Sequence, residues 1–399
     1  MNRTRWDCWY NLYFRNKWLY MEKLDGMGWQ QFAIVFCVAF IVTFLMVPVS
    51  KKLAYLIGAI DYPSNRRLNT KPVPRCGGVA IFAGLVAGVF AAFIGAKFYG
   101  WSLRDLYVLQ SIDYAMLYVG VVTMFTLGLV DDIVQLKWPV KFAGQIIASI
   151  IVALSGVTIG AVQGFATADV FVLGWIDYPL TVIYFLVFVN ITNLIDGLDG
   201  LASGMVAIVS AGLLYLVFMR GSYTLALACV ALIAVCLAFL RYNFFPASVF
   251  MGDCGALLLG LAVGIISVEG IVRTQSFLIM LVPLVIAGVP MLDTISAIVR
   301  RIRAHESVGQ ADLNHLHHRL LRAGLGQKRA VAVLWACAAA LAFAGCALEG
   351  MPGSIRWTAL VVFAVIVFFV VWRFGLFKPV LKHHYDNLGK SGPRQPRKK

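Results

Sequence analysis

The chain has 399 residues, of which 61% are hydrophobic and 13% are charged. Soluble globular domains carry about 45–50% apolar and about 25% charged residues, so a water-soluble enzyme, a disordered chain and a coiled coil are excluded. Long unbroken apolar runs also argue against a membrane β-barrel, whose strands alternate apolar and polar residues. The composition therefore predicts an all-α, polytopic membrane protein.

The formal charge of +15 reflects 34 Lys and Arg residues against 19 Asp and Glu residues. In a membrane protein this excess indicates the positive-inside bias and contact with anionic membrane lipid. No basic stripe with interleaved aromatics accompanies it, so we expect no nucleic-acid partner. The eight cysteines form no CxxC pair, which predicts neither a disulfide framework nor a zinc site.

Three regions follow one another along the chain. Residues 1–28 mix basic, acidic and aromatic residues and lack the apolar core of a signal peptide, so we interpret them as an interfacial tail. Residues 29–375 are predicted to form one transmembrane domain, and residues 376–399 a basic cytoplasmic tail. A helix needs about 20 apolar residues to cross a bilayer. The eleven predicted spans cover roughly residues 30–49, 77–95, 112–130, 142–161, 178–195, 201–219, 223–240, 254–271, 277–298, 330–348 and 357–373.

Basic residues divide unequally between the two sets of connections that eleven spans create. The connections after the odd-numbered spans hold 24 of the 34, so the positive-inside rule places them in the cytoplasm. The basic N-terminal tail argues mildly for the opposite orientation. The polar residues suited to chemistry also gather in the basic-rich set. A nucleotide-sugar or lipid transporter would place such groups near the bilayer midplane, so the pattern favours chemistry at the cytoplasmic face.

The third predicted span ends in two adjacent aspartates, Asp131 and Asp132. Neighbouring carboxylates repel each other, and the end of a helix carries the negative pole of its dipole. A bound cation or a proton-transfer role would explain the pair, whereas a solvated helix end is the structural alternative. Lys141 opens the fourth predicted span nearby and is suited to contact a phosphate.

A polar turn joins the fifth and sixth predicted spans. It contains Asn193, Asp196 and Asp199, and two Asp-Gly steps lie three residues apart. Turn formation and the capping of the next helix would explain one of the acids. They do not explain the whole set, so we predict a functional role for this turn.

A second polar segment precedes the eighth predicted span and contains Asn243 and Asp253. Asp253 lies between two glycines, which allow a ligand to approach the backbone closely. The structural alternative is that Asp253 caps the helix. The functional interpretation is a Mg²⁺ ligand beside a diphosphate, because Mg²⁺ typically takes one or two carboxylates together with substrate phosphates.

The longest polar connection contains three of the chain's six histidines within four positions, followed by an arginine. No cysteine or glutamate accompanies them at a usual zinc spacing. Imidazole and guanidinium groups can donate several hydrogen bonds to phosphate oxygens, so a pyrophosphate suits this segment better. The residues are His315, His317, His318 and Arg319.

Together, the order and spacing of these four motifs resemble the polyprenyl-phosphate N-acetylhexosamine-1-phosphate transferases, which belong to glycosyltransferase family 4. The resemblance covers roughly residues 50–330 and includes the loop from Asp61 to Gly78. It implies ten or eleven helices and an active site on the cytoplasmic face of a bacterial inner membrane. Residues 29–375 would then be the catalytic domain.

The resemblance also implies a role for each motif. Asp253 would be the magnesium ligand, with Mn²⁺ as an alternative ion, and Asp131 and Asp132 would be the catalytic paired aspartates. Asn193, Asp196 and Asp199, and the histidine motif with His315, His317, His318 and Arg319, would bind the substrate. From their positions in the polar segments, Lys141 is a further catalytic candidate and Asn243 a further substrate-binding candidate.

The reaction implied by this family transfers a sugar 1-phosphate from a UDP-sugar to a polyprenyl phosphate and releases UMP. The His-x-His-His-Arg form is similar to the branch that uses UDP-N-acetylglucosamine and undecaprenyl phosphate, the first lipid-linked step of a surface glycan such as O-antigen. Leu313 stands where the family usually has a basic residue, so another UDP-N-acetylhexosamine, or UDP-N-acetylmuramoyl-pentapeptide, remains an alternative donor. The sequence leaves open a homodimer, the identity of the base and a covalent intermediate.

Overall fold

The structure is a computed structural model that describes residues 28–63, 71–101, 112–163, 170–272 and 326–349, with isolated positions 299, 358, 362 and 365. The described helices are α1 Trp29–Ile57, α2 Gly77–Tyr99, α3 Tyr114–Val134, α4 Trp138–Leu154, α5 Asp177–Ile195, α6 Leu201–Met219, α7 Tyr223–Asn243, α8 Gly252–Ser267 and α9 Gln327–Glu349. Two small antiparallel hairpins lie in connections: β1 Ile60–Asp61 with β2 Val73–Pro74, and β3 Ala161–Gln163 with β4 Val170–Val172.

The predicted all-α, polytopic membrane fold is confirmed. Eight of the described helices are long and apolar enough to cross a membrane, when α8 is counted with its π-helical continuation to Gly270; α4 is shorter at 17 residues. In hydrocarbon every backbone N–H and C=O must be paired within the protein, and a helix pairs them within itself. Nine of the predicted spans overlap described helices, whereas span 277–298 and most of span 357–373 lie outside the described residues.

The fourth predicted span, 142–161, is displaced from the helix that the structure has there. α4 begins earlier, at Trp138, with Pro139 in its first turn, where proline is favoured because no backbone N–H is needed. It ends at Leu154 because Gly156 adopts a φ of 98°, outside the helical range. The segment that follows leads into β3, and its residues Val157 and Ile159 are buried although they are not helical.

α8 lies at the centre of the described helices. It packs against α2, α3, α5, α6 and α7, and nearly all of its side chains are buried. An apolar helix that is buried all round belongs to the core of a bundle. The first turn of α8, with its unpaired backbone N–H groups, is consequently inside the protein and needs partners from other elements.

Backbone hydrogen bonds fix the start of α2 to the segment before α8. Gly77 N–H donates to the Phe250 carbonyl at 3.0 Å and Gly78 N–H donates to the Met251 carbonyl at 2.8 Å. Phe250 N–H donates in turn to the Pro74 carbonyl at 2.9 Å. These bonds satisfy N–H groups that a helix start leaves unpaired. They hold the β1–β2 hairpin and the start of α2 against the start of α8.

The two helix starts touch through glycines. A Cβ atom placed on Gly78 would lie 2.2 Å from the Gly255 backbone nitrogen, and one placed on Gly255 would lie 2.9 Å from the Gly78 Cα. Both distances are shorter than any real Cβ contact, and the atoms that would clash belong to the backbone. Only glycine at both positions allows α2 and α8 to approach this closely.

We expect Gly78→Ala to destabilise the protein, because the added methyl group forces α2 away from α8. Overpacking of this kind costs about 1–3 kcal/mol. Thermal unfolding in detergent should show a lower midpoint than the wild type. Gly28→Ala is the matched control, since its added Cβ would meet nothing closer than 3.9 Å. Equal midpoints for both variants would contradict the close packing of these two helix starts.

Candidate active site

Six polar residues from five separate segments meet at one end of the helix bundle, and we call them the charged cluster. Each lies at or beside the end of a helix, where the chain leaves the apolar core. The residues are Arg75 before α2, Asp131 and Asp132 at the end of α3, Lys141 in the first turn of α4, Asn193 at the end of α5 and Asp253 in the first turn of α8.

Asp253 is the most heavily bonded member of the charged cluster. Its Oδ2 accepts hydrogen bonds from Lys141 Nζ at 2.8 Å and from Arg75 Nη2 at 3.2 Å. Its Oδ1 accepts one from the amide nitrogen of Asn193. A buried carboxylate is retained in its charged form only with such partners. Asp253 is therefore held as an anion that faces two cations.

Asp132 caps the start of α8 from a different helix. Its Oδ1 accepts the backbone N–H of Asp253 at 2.7 Å, and its Oδ2 accepts the N–H of Cys254 at 2.9 Å. Arg75 Nε lies 3.1 Å from the same Oδ1, and the Asp132 side chain is 0% exposed. A carboxylate is favoured at a helix N-terminus because it binds free N–H groups at the positive end of the dipole. The capping role that the sequence suggested for Asp253 is thus filled by Asp132.

The glycine before Asp253 makes this cap possible. Gly252 adopts a φ of 75°, and a Cβ placed on it would lie 2.5 Å from Asp132 Oδ2. The glycines near Asp253 were interpreted from the sequence as access for a ligand. The structure gives a different reason for them, because Gly252 admits the Asp132 carboxylate and Gly255 admits α2.

Asp131 and Asp253 face each other across one ammonium group. Lys141 Nζ lies 2.9 Å from Asp131 Oδ2 and 2.8 Å from Asp253 Oδ2. The other oxygen of Asp131 accepts the Leu136 backbone N–H at 2.7 Å, which fixes the turn between α3 and α4. Asp131 therefore keeps one oxygen on the turn and points the other into the charged cluster.

The charged cluster carries a net formal charge of −1, from three carboxylates and two cations. Burial lowers the pKa of Arg75, but the Asp253 and Asp132 carboxylates outweigh this effect and raise that pKa above its usual value. Arg75 thus stays charged. Its side chain is 25% exposed and that of Lys141 is 16% exposed, so both cations can contact a bound anion as well.

The residues fit a hard divalent cation with few protein ligands. Within the described ranges no group of three His, Cys, Asp or Glu side chains is placed to hold a metal ion. Mg²⁺ commonly binds through one or two carboxylates and completes its shell with water and substrate phosphates. Asp253, whose Oδ2 faces the Lys141 ammonium at 2.8 Å, supplies one such carboxylate.

The turn after α5 and the segment after α7 are hydrogen-bonded to each other. Asp199 Oδ2 accepts the Ala247 N–H at 2.9 Å. Asn243 is buried, and it accepts the Gly200 N–H and donates to the Val249 carbonyl, both at 3.0 Å. These contacts tie the two connections together. Direct substrate contact by Asn243 and Asp199 stays a prediction, whereas the hydrogen bonds that join the two connections are observed.

Asp196 lies half-buried beside the charged cluster. Burial raises its pKa well above the usual range, and the negative charges of Asp253 and Asp132 add to the shift while Arg75 opposes it. Burial also raises the pKa of Asp199, against the effect of its hydrogen bond from Ala247. Asp196 therefore holds a proton more tightly than an ordinary carboxyl group does.

The structure brings together most of the residues that the sequence predicted, with one addition. Asp131, Asp132, Lys141, Asn193 and Asp253 belong to the charged cluster, whereas His315, His317, His318 and Arg319 lie outside the described residues. Sequence reasoning missed Arg75. The sequence feature that could have identified Arg75 is its position at the end of a basic loop, directly before the helix that starts at Gly77-Gly78.

Comparison with known proteins gives a consistent family assignment. The family model for glycosyl transferase family 4 matches residues 114–271, which contain five of the six charged-cluster residues. A Bacillus subtilis protein, named as a probable undecaprenyl-phosphate N-acetylglucosaminyl 1-phosphate transferase, is 34% identical over 84% of this chain and 89% of its own length. The decaprenyl-phosphate N-acetylglucosaminephosphotransferase of Mycobacterium tuberculosis is 34% identical over 86% of this chain and 88% of its own. The undecaprenyl-phosphate alpha-N-acetylglucosaminyl 1-phosphate transferase of Escherichia coli is 27% identical over 82% and 87%.

The helical membrane fold, the charged cluster at one end of the bundle and these relatives define an integral-membrane transferase enzyme. The chain belongs to glycosyl transferase family 4, and the resemblance recognised in its motifs is confirmed.

We expect Asn243→Ala to lower stability more than a surface change does, because it leaves the buried Gly200 N–H and Val249 carbonyl without partners. Each such unpaired group costs about 1–3 kcal/mol. Thermal unfolding checks this, with Arg241→Ala, an exposed change in the last turn of the same helix, as the control. A variant of unchanged stability whose only defect is a higher KM for the donor would show that Asn243 binds substrate instead.

Proposed function

We propose that this enzyme transfers N-acetylglucosamine 1-phosphate from UDP-N-acetylglucosamine to undecaprenyl phosphate, giving undecaprenyl-diphospho-N-acetylglucosamine and UMP. The observation that carries the proposal is the convergence of Asp131, Lys141 and Asp253 with Arg75 at one end of a membrane bundle. The names of the relatives, which specify polyprenyl phosphates and N-acetylglucosamine phosphate transfer, support it. A surface glycan such as O-antigen would be built on the product.

The chemical difficulty of this reaction is that two phosphate anions must approach each other. An oxygen of the acceptor phosphate attacks the sugar-bearing phosphorus of the donor, and the bond from that phosphorus to the bridging oxygen breaks to release UMP. Such a transfer is catalysed mainly by positioning and by electrostatic stabilisation. Arg75 and Lys141 supply positive charge to the phosphates, and Asp253 would hold the metal ion. Bound Mg²⁺ would neutralise charge on the diphosphate.

The geometry favours Asp131 over Asp132 for a direct role with the acceptor. Both oxygens of Asp132 are engaged by the start of α8 and by Arg75, and its side chain is fully buried. Asp131 points one oxygen toward Lys141 and Asp253. We assign Asp131 to orient or deprotonate the acceptor phosphate, and Asp132 to position Asp253 through the backbone of α8.

The remaining alternatives differ in donor or in class. A different UDP-N-acetylhexosamine or UDP-N-acetylmuramoyl-pentapeptide would use the same cluster and the same lipid acceptor. A nucleotide-sugar or lipid transporter would need ionisable groups along its path, whereas the charged cluster lies at helix ends on one face. The basic-rich connections on that face favour its placement on the cytoplasmic side of a bacterial inner membrane.

Purified full-length protein in detergent should release UMP from UDP-N-acetylglucosamine when undecaprenyl phosphate and Mg²⁺ are present, and not from UDP-N-acetylmuramoyl-pentapeptide.

Asp253→Asn should abolish release, because the amide removes the anion that faces both cations. Mg²⁺ should also raise the thermal midpoint of the wild type and not that of the variant, by preferential binding to the folded state. Turnover of UDP-N-acetylmuramoyl-pentapeptide and not of UDP-N-acetylglucosamine would assign the protein to the branch that uses the pentapeptide donor. Transport of the substrate without release of UMP would show that the protein is a transporter and not this enzyme.

Asp131→Asn and Asp132→Asn should fail in different ways. Loss of an acid–base group typically slows turnover by about 10²–10⁴-fold, so Asp131→Asn should lose activity while its thermal midpoint stays near the wild type. Asp132→Asn should lose stability too, because an amide NH₂ cannot accept one of the two N–H groups of α8. That unpaired group costs about 1–3 kcal/mol. A stable but inactive Asp132→Asn would assign the chemical role to Asp132.

A further inference from the structure

The position of α4 in the bundle depends on two neighbouring helices. Among the described helices α4 packs mainly against α3 and α5, and Ile147 and Ile150 on its outer side are exposed. α4 supplies Lys141 to the charged cluster, and α5 supplies Asn193. The separation of α4 and α5 therefore affects two of the contacts that Asp253 makes.

Asp253 is bonded to α4 and α5 through different oxygens. Its Oδ2 accepts from Lys141 Nζ at 2.8 Å, and its Oδ1 accepts from the amide nitrogen of Asn193. Because an N–H···O hydrogen bond is made only over about 2.7–3.2 Å, both contacts persist only at one separation of the two helices. If α4 moved away, Lys141 would stay with Asp131, whose Oδ2 lies 2.9 Å from its ammonium.

One turn deeper in the bundle, a pair of amide side chains joins the same two helices. Gln145 follows Lys141 by four residues on α4, and Asn190 precedes Asn193 by three residues on α5. Residues with these spacings lie on the same face of a helix. Asn190 Nδ2 donates to Gln145 Oε1 at 2.9 Å, and Gln145 is 1% exposed. This hydrogen bond links α4 to α5 directly beneath the charged cluster.

The amide nitrogen of Asn190 has no hydrogen left for a substrate. Besides its bond to Gln145, Nδ2 donates to the Leu186 carbonyl of its own helix at 2.8 Å. An amide nitrogen carries two hydrogens, so both are used. Hydrogen bonds between Asn or Gln side chains of neighbouring helices hold membrane helices together. The pair is therefore suited to orient α4 and α5.

We propose that Gln145 is a positioning residue that acts through Asn190. Their hydrogen bond fixes the separation of α4 and α5 at which Lys141 and Asn193 both reach Asp253. The inference rests on the proposed function, and it assigns a role in the reaction to a residue that touches no reacting group. Its consequence is kinetic, because misplacing a catalytic group by about 1 Å can slow a reaction about a hundredfold.

The kinetic test removes the acceptor from the amide pair. Gln145→Met keeps the length of the side chain, and kcat for UMP release should fall about tenfold or more while the KM for either substrate stays within about twofold. Ser149→Ala is the matched control. It lies one turn further along the same face of α4, and its buried hydroxyl has no partner among the described residues, so it should match the wild type. A raised KM with an unchanged kcat in Gln145→Met would overturn the proposal.

A double variant separates positioning from stability. Gln145→Met leaves one N–H of Asn190 without its partner, which also lowers the thermal midpoint. Combining it with Asn190→Leu removes both polar partners, a change that is nearly neutral for stability when the shapes are similar. The midpoint of the double variant should return close to that of the wild type, whereas kcat should stay low. Recovery of kcat together with the midpoint would overturn the proposal, because the pair would then act on stability alone.

A measurement without turnover follows the Lys141 ammonium itself. In the wild type it is held between Asp131 and Asp253 and is 16% exposed, so an amine-reactive reagent should modify it slowly. Mass spectrometry of the folded protein should show severalfold faster modification of Lys141 in Gln145→Met and in the double variant, and no change in Ser149→Ala. An unchanged rate in both amide variants would overturn the proposal. Faster modification without UMP release by the wild type would instead refute the proposed reaction and leave the positioning role standing.

Discussion

The cap that Asp132 places on the start of α8 is the interaction on which the rest of the site depends. An apolar helix that begins inside a protein leaves several N–H groups without partners, and in a membrane bundle no water is available to satisfy them. A carboxylate from α3 satisfies two of them and also pairs with Arg75. The same contact determines where the Asp253 side chain leaves the backbone. Helix packing and site geometry are thus set by one side chain.

Charge balance explains why the site can hold so many buried ionisable groups. Each carboxylate of the charged cluster has at least one cation or two N–H groups within hydrogen-bonding distance. The net negative charge that remains is small, and it is the charge that a divalent cation would offset. Lys141 faces both Asp131 and Asp253, and Arg75 faces both Asp132 and Asp253, so each cation keeps one carboxylate when a single acid is neutralised. One acid can therefore be replaced without leaving a buried cation unpaired, which would be far more costly than losing a surface ion pair.

Hydropathy alone predicted the helices, because each apolar run must pair its own backbone in lipid. The hydropathy pattern also predicted that Asp131, Asp132, Asn193 and Asp253 lie at one membrane face, because successive spans run in opposite directions. It could not predict which aspartate caps α8, because the contact between Asp132 and Cys254 joins residues far apart in the sequence. Arg75 was missed for the same reason: its role follows from partners on other helices. The predicted end of α4 was wrong because Gly156, which has a positive φ, interrupts an apolar run that the hydropathy pattern shows as continuous.

The shortness of α4 affects the surrounding bilayer. Its 17 residues extend about 26 Å, less than the roughly 30 Å of hydrocarbon in a typical membrane. A span that is too short draws the nearby leaflet inward. Lipids next to α4 would therefore lie lower than lipids around longer helices such as α1.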